Sequence, residues 1–178
     1  GKAVAEVLFG DYNPAGKLPV TFYRNVSQLP DFEDYNMTGR TYRYMQDVPL
    51  FPFGYGLSYT TFGYGKTVLD KNELTAGQSL KLTVPVTNTG KRNGEEVVQV
   101  YLRKQGDAEG PIKTLRAFKR VSIPAGKTVN VEFDLKDKEL EWWDDQSNTV
   151  RVCPGNYDIM VGGSSKEEDL QRTTIAIK

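Results

Sequence analysis

Ser79-Leu80-Lys81-Leu82-Thr83-Val84-Pro85-Val86 is the stretch that decides the fold class. Leucine or valine takes every second position, and polar residues or proline fill the rest. Neighbouring side chains of a strand point to opposite faces, so a period of two marks a strand buried on one side. The same pattern recurs outward along the chain. Val98, Val100 and Leu102 share one face, and Val129, Val131, Phe133 and Leu135 alternate with Asn130, Glu132 and Asp134. Tyr157, Ile159 and Val161 repeat the pattern, and Ile175 with Ile177 ends it. Turn formers separate these runs: Asn88-Thr89-Gly90, Asn93-Gly94, Pro124-Ala125-Gly126 and Pro154-Gly155-Asn156. Short alternating strands punctuated in this way predict an all-β sandwich from about Phe62 to Lys178. Pro85 has no N–H to give a ladder, so its strand is expected to be an edge or to carry a bulge there. Lys136 to Leu140 reads as one helical turn.

The first third of the chain reads differently. Ala3 to Phe9 carries apolar residues at helical spacing, with Gly10 as a stop. Asp11 to Gly16 is a turn, and Leu18 to Phe22 reads as extended. Tyr23 to Thr61 has neither period and holds Pro30, Pro49 and Pro52. It also holds Phe32, Tyr35, Tyr42, Tyr44, Phe51, Phe53, Tyr55 and Tyr59. Aromatic side chains bury large apolar areas, so this stretch is expected to pack along a partner surface instead of acting as a free tether.

Composition excludes several classes. Among 178 residues, 23 basic and 23 acidic side chains cancel. No basic stripe is present, so no nucleic-acid partner is expected. No apolar run reaches the ~20 residues of a membrane span, and Gly1 to Gly10 lacks the pattern of a signal peptide. The start at Gly1, without Met, suggests a piece cut from a longer protein. The chain has no histidine, which removes imidazole catalysis and imidazole metal sites. Cys153 is alone, so neither a disulfide within the chain nor a paired-cysteine metal site can form. No cofactor and no metal are expected. Gly65-Lys66-Thr67 and Gly126-Lys127-Thr128 lack the upstream glycine of a phosphate-binding loop, and Gly56-Leu57-Ser58 lacks the second glycine and the base of a nucleophile elbow. Asn25-Val26-Ser27 and Asn36-Met37-Thr38 fit the glycosylation sequon and would matter only in a secreted eukaryotic setting.

Five further strings carry a resemblance. Leu50 to Phe62, LFPFGYGLSYTTF, is similar to the linker before the C-terminal domain of glycoside hydrolase family 3 enzymes, the β-glucosidases and β-xylosidases. Val4 to Phe22 resembles the end of that family's α/β sandwich domain. Val86 to Gly90 with Glu96 to Leu102, and Pro154 to Ser165, resemble its fibronectin type III-like domain. The resemblance implies an all-β, immunoglobulin-like (fibronectin type III-like) sandwich over 62–178, a linker over 23–61, and a remnant of the preceding α/β domain over 1–22. It implies that the preceding catalytic domains of the same polypeptide are the partner, with a β-linked oligosaccharide met only through the parent. It also implies a periplasmic or secreted location. Gly39 to Gly56 tilts the reading toward the β-xylosidase branch.

In that family both catalytic carboxylates lie upstream of the matching region, so no catalytic residue is expected here. Asp11, Asp31, Glu33, Asp34, Asp144 and Asp145 are only the background that a chain with 23 acids offers. The expected role is a non-catalytic brace. A carbohydrate-binding module, with Trp142, Trp143 or Tyr101 as a stacking platform, is the alternative, and a protein-interaction sandwich is a third. One of Trp142 and Trp143 is expected in the core and its neighbour outside. Tyr42-Arg43-Tyr44 could line a sugar cleft or pin the linker to the α/β domain, and the reading favours the pin. Tyr42, Tyr44, Phe51 and Phe53 are expected to be more exposed than in the full enzyme, or covered by a neighbouring copy.

Overall fold

The computed structural model describes residues 1–178. Helix α1, Lys2–Phe9, ends at Gly10, whose left-handed backbone (φ 80°) turns its N–H onto the Val7 carbonyl. None of its residues is buried. Residues 11–61 contain one 3-10 turn at Val26–Gln28 and the single turn α2, Thr41–Tyr44. The extended reading of Leu18 to Phe22 reduces to one bridge, Phe22 with Phe51. Leu18 N donates to Tyr55 O and Gly54 N to Leu18 O, both at 2.8 Å. The partner of this segment is therefore the glycine-aromatic run at 51–55, which is too irregular to extend a ladder.

The sandwich is built from two sheets. In the first, β4 (Leu80–Asn88) is flanked on one side by β1 (Phe62–Tyr64) and β2 (Val68–Leu69), and on the other by β7 (Thr128–Leu135). The second runs in the order β3 (Glu73–Leu74), β11 (Gln171–Ile177), β10 (Gly155–Gly162), β5 (Gly94–Lys104), β6 (Thr114–Ile123), antiparallel except for β3 with β11. A turn of helix, α3 (Asp137–Leu140), leads into a separate hairpin of β8 (Trp142–Asp144) and β9 (Thr149–Arg151). Alternate residues of both sheets meet in one core. It includes Leu82, Val98, Val100, Leu102, Phe133, Tyr157, Ile159 and Ile175, closed at one end by Leu140, Trp142 and Cys153. The chain is thus an all-β sandwich of two main sheets carrying an N-terminal extension.

Of the two expectations for Pro85, an edge strand or a bulge, the edge is the one corrected. Its strand is internal, not an edge. Val86 pairs with Tyr64 and Thr83 with Val68, so the flanking chain carries one residue more than β4 across this interval. N and C=O of one strand residue point the same way, and Pro85 O accepts from Gly65 N at 2.8 Å. The missing N–H therefore faces the irregular stretch between β1 and β2, where no ladder bond is forfeited.

Candidate functional site

The outer face of the second sheet is not left to solvent. Gln99 and Tyr101 of β5 are buried although they point away from the core. Their cover is residues 42–55, which form a strap across the sheet. Tyr42 stacks on Phe53 with ring centroids 4.3 Å apart and meets Tyr101 edge-on at 5.8 Å. Its hydroxyl accepts from Leu115 N at 3.1 Å. Ile112 N donates to Arg43 O at 2.7 Å, and Ser165 N to Phe53 O at 2.8 Å. Tyr101 donates its hydroxyl to Gln99 Oε1, and Gln99 Nε2 reaches Gly163 O. Gly54 lies over this amide with φ 79°, and an added Cβ would sit 2.7 Å from Gln99 Nε2. Burial, then the neighbouring Tyr42, pushes the Tyr101 phenol well above its usual range. Tyr101 therefore has no free ring face on which a sugar could stack.

Tyr42, Tyr44 and Phe53 are half-buried and Met45 is buried, while Phe51 is exposed. Of the four rings expected to be more exposed than in the full enzyme or covered by a neighbouring copy, only Phe51 is exposed in this chain. The buried outer residue Tyr101 of β5 supplies the surface for Tyr42, which in turn stacks on Phe53.

Three of the five candidate residues converge on a residue that sequence reasoning missed, Arg116 of β6. Arg43 belongs to the strap whose main chain is bonded to Ile112 and whose Tyr42 is bonded to Leu115. Its guanidinium lies over the Tyr44 ring at 5.5 Å. The Arg116 guanidinium lies over the Trp142 ring at 5.5 Å and donates to Glu141 O. Burial, then the nearby charge of Arg43, lowers the Arg116 pKa. Trp142 is 3% exposed, stacks edge-on with Tyr157 at 6.0 Å and donates its indole N–H to Asp107 Oδ2 at 2.6 Å. Trp143 points the other way, 49% exposed, with its indole N–H on Asp145 Oδ1 at 2.8 Å. Parity along β8 separates the two rings, so only Trp143 offers a face to solvent. Nothing local to β6 marks Arg116, because its neighbours come from the distant strap and hairpin. Thr41, just before Tyr42, holds φ 55°, an uncommon conformation for a β-branched residue.

A second seam joins the extension to the sandwich. Lys17 pairs with the largely buried Glu96 at 2.8 Å, in an open cleft of about 480 Å³. Tyr64 lies in the same cleft, and burial, then Glu96, holds its phenol well above the usual range. Four carboxylates line this cleft, and each faces a cation: Glu95 with Arg120, Glu96 with Lys17, and Glu168 and Asp169 with Lys166.

Residues 1–59 match the model of the glycosyl hydrolase family 3 C-terminal domain, and residues 96–165 match that of the fibronectin type III-like domain. A xylan 1,4-beta-xylosidase from Xylanibacter ruminicola is 54% identical over 177 residues, which is 99% of this chain and 20% of that protein. A periplasmic beta-glucosidase from Salmonella typhimurium is 38% identical, over 93% of this chain and 23% of its own length. The solved structure of a β-glucosidase from Erythrobacter marinus superposes with a TM-score of 0.83 at 41% identity, covering 99% of this chain and 23% of that one. The chain thus spans about a fifth to a quarter of the length of these relatives.

Proposed function

Since the chain is a C-terminal portion of a glycosyl hydrolase family 3 protein, we propose that it braces the catalytic domains of a larger β-glycosidase and performs no catalysis itself. The carrying observation is where apolar surface is left open. Of the 20 large hydrophobic side chains exposed to solvent, the 16 from Val4 to Tyr59 all lie in the extension. Phe32 is 95% and Tyr35 90% exposed. A stable monomer rarely leaves such side chains in a contiguous patch without a binding partner. On this reading the preceding domains of the same polypeptide cover them, and the strap holds their platform on the sandwich. A retaining glycosidase needs one free carboxylate and one neutral acid about 5–5.5 Å apart. The ion pairs in the Lys17–Glu96 cleft suit neither role. The 54% identity to a xylosidase supports a β-xyloside-acting parent ahead of a β-glucoside-acting one. The Salmonella relative is named as periplasmic, which supports a periplasmic or secreted site; cell fractionation tests it.

The experiment is an assay of the isolated chain on aryl β-xylosides and β-glucosides. No turnover above a blank is the expected result. Turnover that vanishes when an Asp or Glu of these 178 residues is replaced would overturn the reading. One observation favours a second reading, sugar binding by the sandwich: the Trp143 ring is exposed and fixed by Asp145. Retardation of the chain in xylan-containing gels, lost in Trp143→Ala, would support it.

A further inference from the structure

We propose that the cleft between the extension and the sandwich binds a neutral, hydroxyl-rich ligand, a sugar ring or an open-chain polyol, on Glu96, Lys17 and Tyr64. Strand parity places Glu96 in the inward row of β5, ahead of Val98, Val100 and Leu102. Packing alone would take an apolar residue there. The chain instead sets a carboxylate, 6% exposed, at the floor of a cleft of about 480 Å³. Small-molecule sites commonly enclose about 300–1,000 Å³. Lys17 and Ser58 of the extension and Phe62, Tyr64, Gly163 and Ser164 of the sandwich form the walls. The extension wall is fixed in place. Ser58 Oγ and Tyr59 N both donate to Asn13 Oδ1, at 2.9 and 2.8 Å, and Gly56 lies so close to the Gly16 carbonyl that no Cβ would fit.

The polar groups at the floor have unused hydrogen-bonding capacity. Glu96 Oε1 accepts from Lys17 Nζ at 2.8 Å and from Val97 N at 2.9 Å, and Oε2 takes no hydrogen bond. Lys17 keeps two of its three N–H donors. The Tyr64 hydroxyl, beside the Glu96 carboxylate, is buried with no hydrogen-bond partner. Both groups approach Gly163: the position a Cβ would take there is 3.1 Å from Glu96 Oε1 and 3.2 Å from the Tyr64 oxygen. Glycine at this position leaves the floor open. An acceptor and donors this close together match neighbouring hydroxyls of a polyol, each of which can donate and accept. Such a ligand would satisfy the Tyr64 hydroxyl, since buried polar atoms ordinarily have a partner. The charge disfavours other ligands. Three cations, Lys17, Arg120 and Lys166, answer the four carboxylates of the cleft. An anion would meet an excess of carboxylate, and a cation would find every carboxylate engaged. Phe62 supplies the apolar wall against which the C–H groups of a ring can rest. No residue of the 142–151 hairpin lines the cleft, so the site is separate from the Trp143 face.

The test follows the backbone N–H signals of Val97 and Gly163 in proton–nitrogen spectra of the 178-residue chain. Xylobiose, sorbitol and tetrahydropyran, a bare ring without hydroxyls, are titrated in turn. Both signals are expected to move and saturate with xylobiose or sorbitol and to stay still with tetrahydropyran. Tighter binding of xylobiose assigns the cleft to a ring sugar, and tighter binding of sorbitol assigns it to an open-chain polyol. Tyr64→Phe removes one oxygen and keeps the ring, and it should weaken binding roughly three- to tenfold. Gly163→Ala needs no left-handed backbone and should abolish binding by filling the floor, so it gives a second reading should Tyr64→Phe fail to fold. Lys127→Gln, at an exposed cation elsewhere, should leave binding unchanged. Signals that stay still with both polyols, that move equally with tetrahydropyran, or that respond unchanged in both cleft variants would overturn the proposal. Saturation by calcium chloride and by neither polyol would also overturn it, because the cleft would then be a cation site. The outcome is independent of the bracing role, because the chain is tested alone, and the Trp143 indole signal reports on the hairpin face separately.

Discussion

At the scale of the residue, strand parity carries most of the information. Phe133 was assigned inward from its alternation with Glu132 and Asp134, and it joins the core cluster. Phe133→Ala is expected to cost about 3–5 kcal/mol, measured by chemical denaturation; a midpoint shift no larger than that of a surface change would show the ring is not core. Parity also separates Trp142 from Trp143. Arg116 was not legible, because its environment is assembled from the strap, β8 and Glu141, and a β6 arginine is ordinarily a solvated side chain. Asp144 was only one acid among many in the sequence. In the hairpin, the Ser147 hydroxyl and then Arg151 hold its carboxyl down to about 2. A carboxyl depressed in the folded state adds stability that is present above its ordinary pKa and lost as pH falls through the folded value. The wild type should therefore lose stability relative to Asp144→Asn between about pH 4 and pH 2. Parallel stability curves for the two proteins over that window would contradict the assignment.

At the scale of the element, the sheets were legible and the strap was not. A period of two identifies β4, β5, β7 and β10 because each buries one face in a shared core. Residues 42–55 have no period, since their rings bury against the sheet's outer face from an irregular backbone fixed by single contacts. The same irregular backbone reduces Leu18 to Phe22 to a bridge, while Pro85 is tolerated inside its sheet because its missing N–H faces the extra residue between β1 and β2. Gly54 is the tightest of those contacts. Its left-handed backbone disfavours a side chain, and a Cβ would displace the Gln99 amide from Gly163 and Tyr101. Gly54→Ala is expected to cost about 1–3 kcal/mol and to open the strap to protease between Tyr42 and Tyr55. Unchanged cleavage and stability would mean the strap is held by the Tyr42 stack alone.

At the scale of the whole molecule, the extension has two unlike sides. One side is docked through Tyr42, Phe53, Gly54 and the Lys17–Glu96 pair. The other exposes Phe9, Phe22, Phe32 and Tyr35. The aromatic content of Tyr23 to Thr61 announced an interface in the sequence; which rings would find the sandwich and which would be left open depended on the outer face of β5, which no pattern describes. Hydrogen exchange on the isolated chain, resolved by residue, tests this two-sided extension most directly. The account predicts slow exchange in β4, β5 and β10, intermediate protection across residues 42–55, and fast exchange in α1 and residues 24–39. Protection of residues 24–39 equal to that of the core strands, in a monomeric chain, would contradict it, because the segment would then need no further domain to cover it.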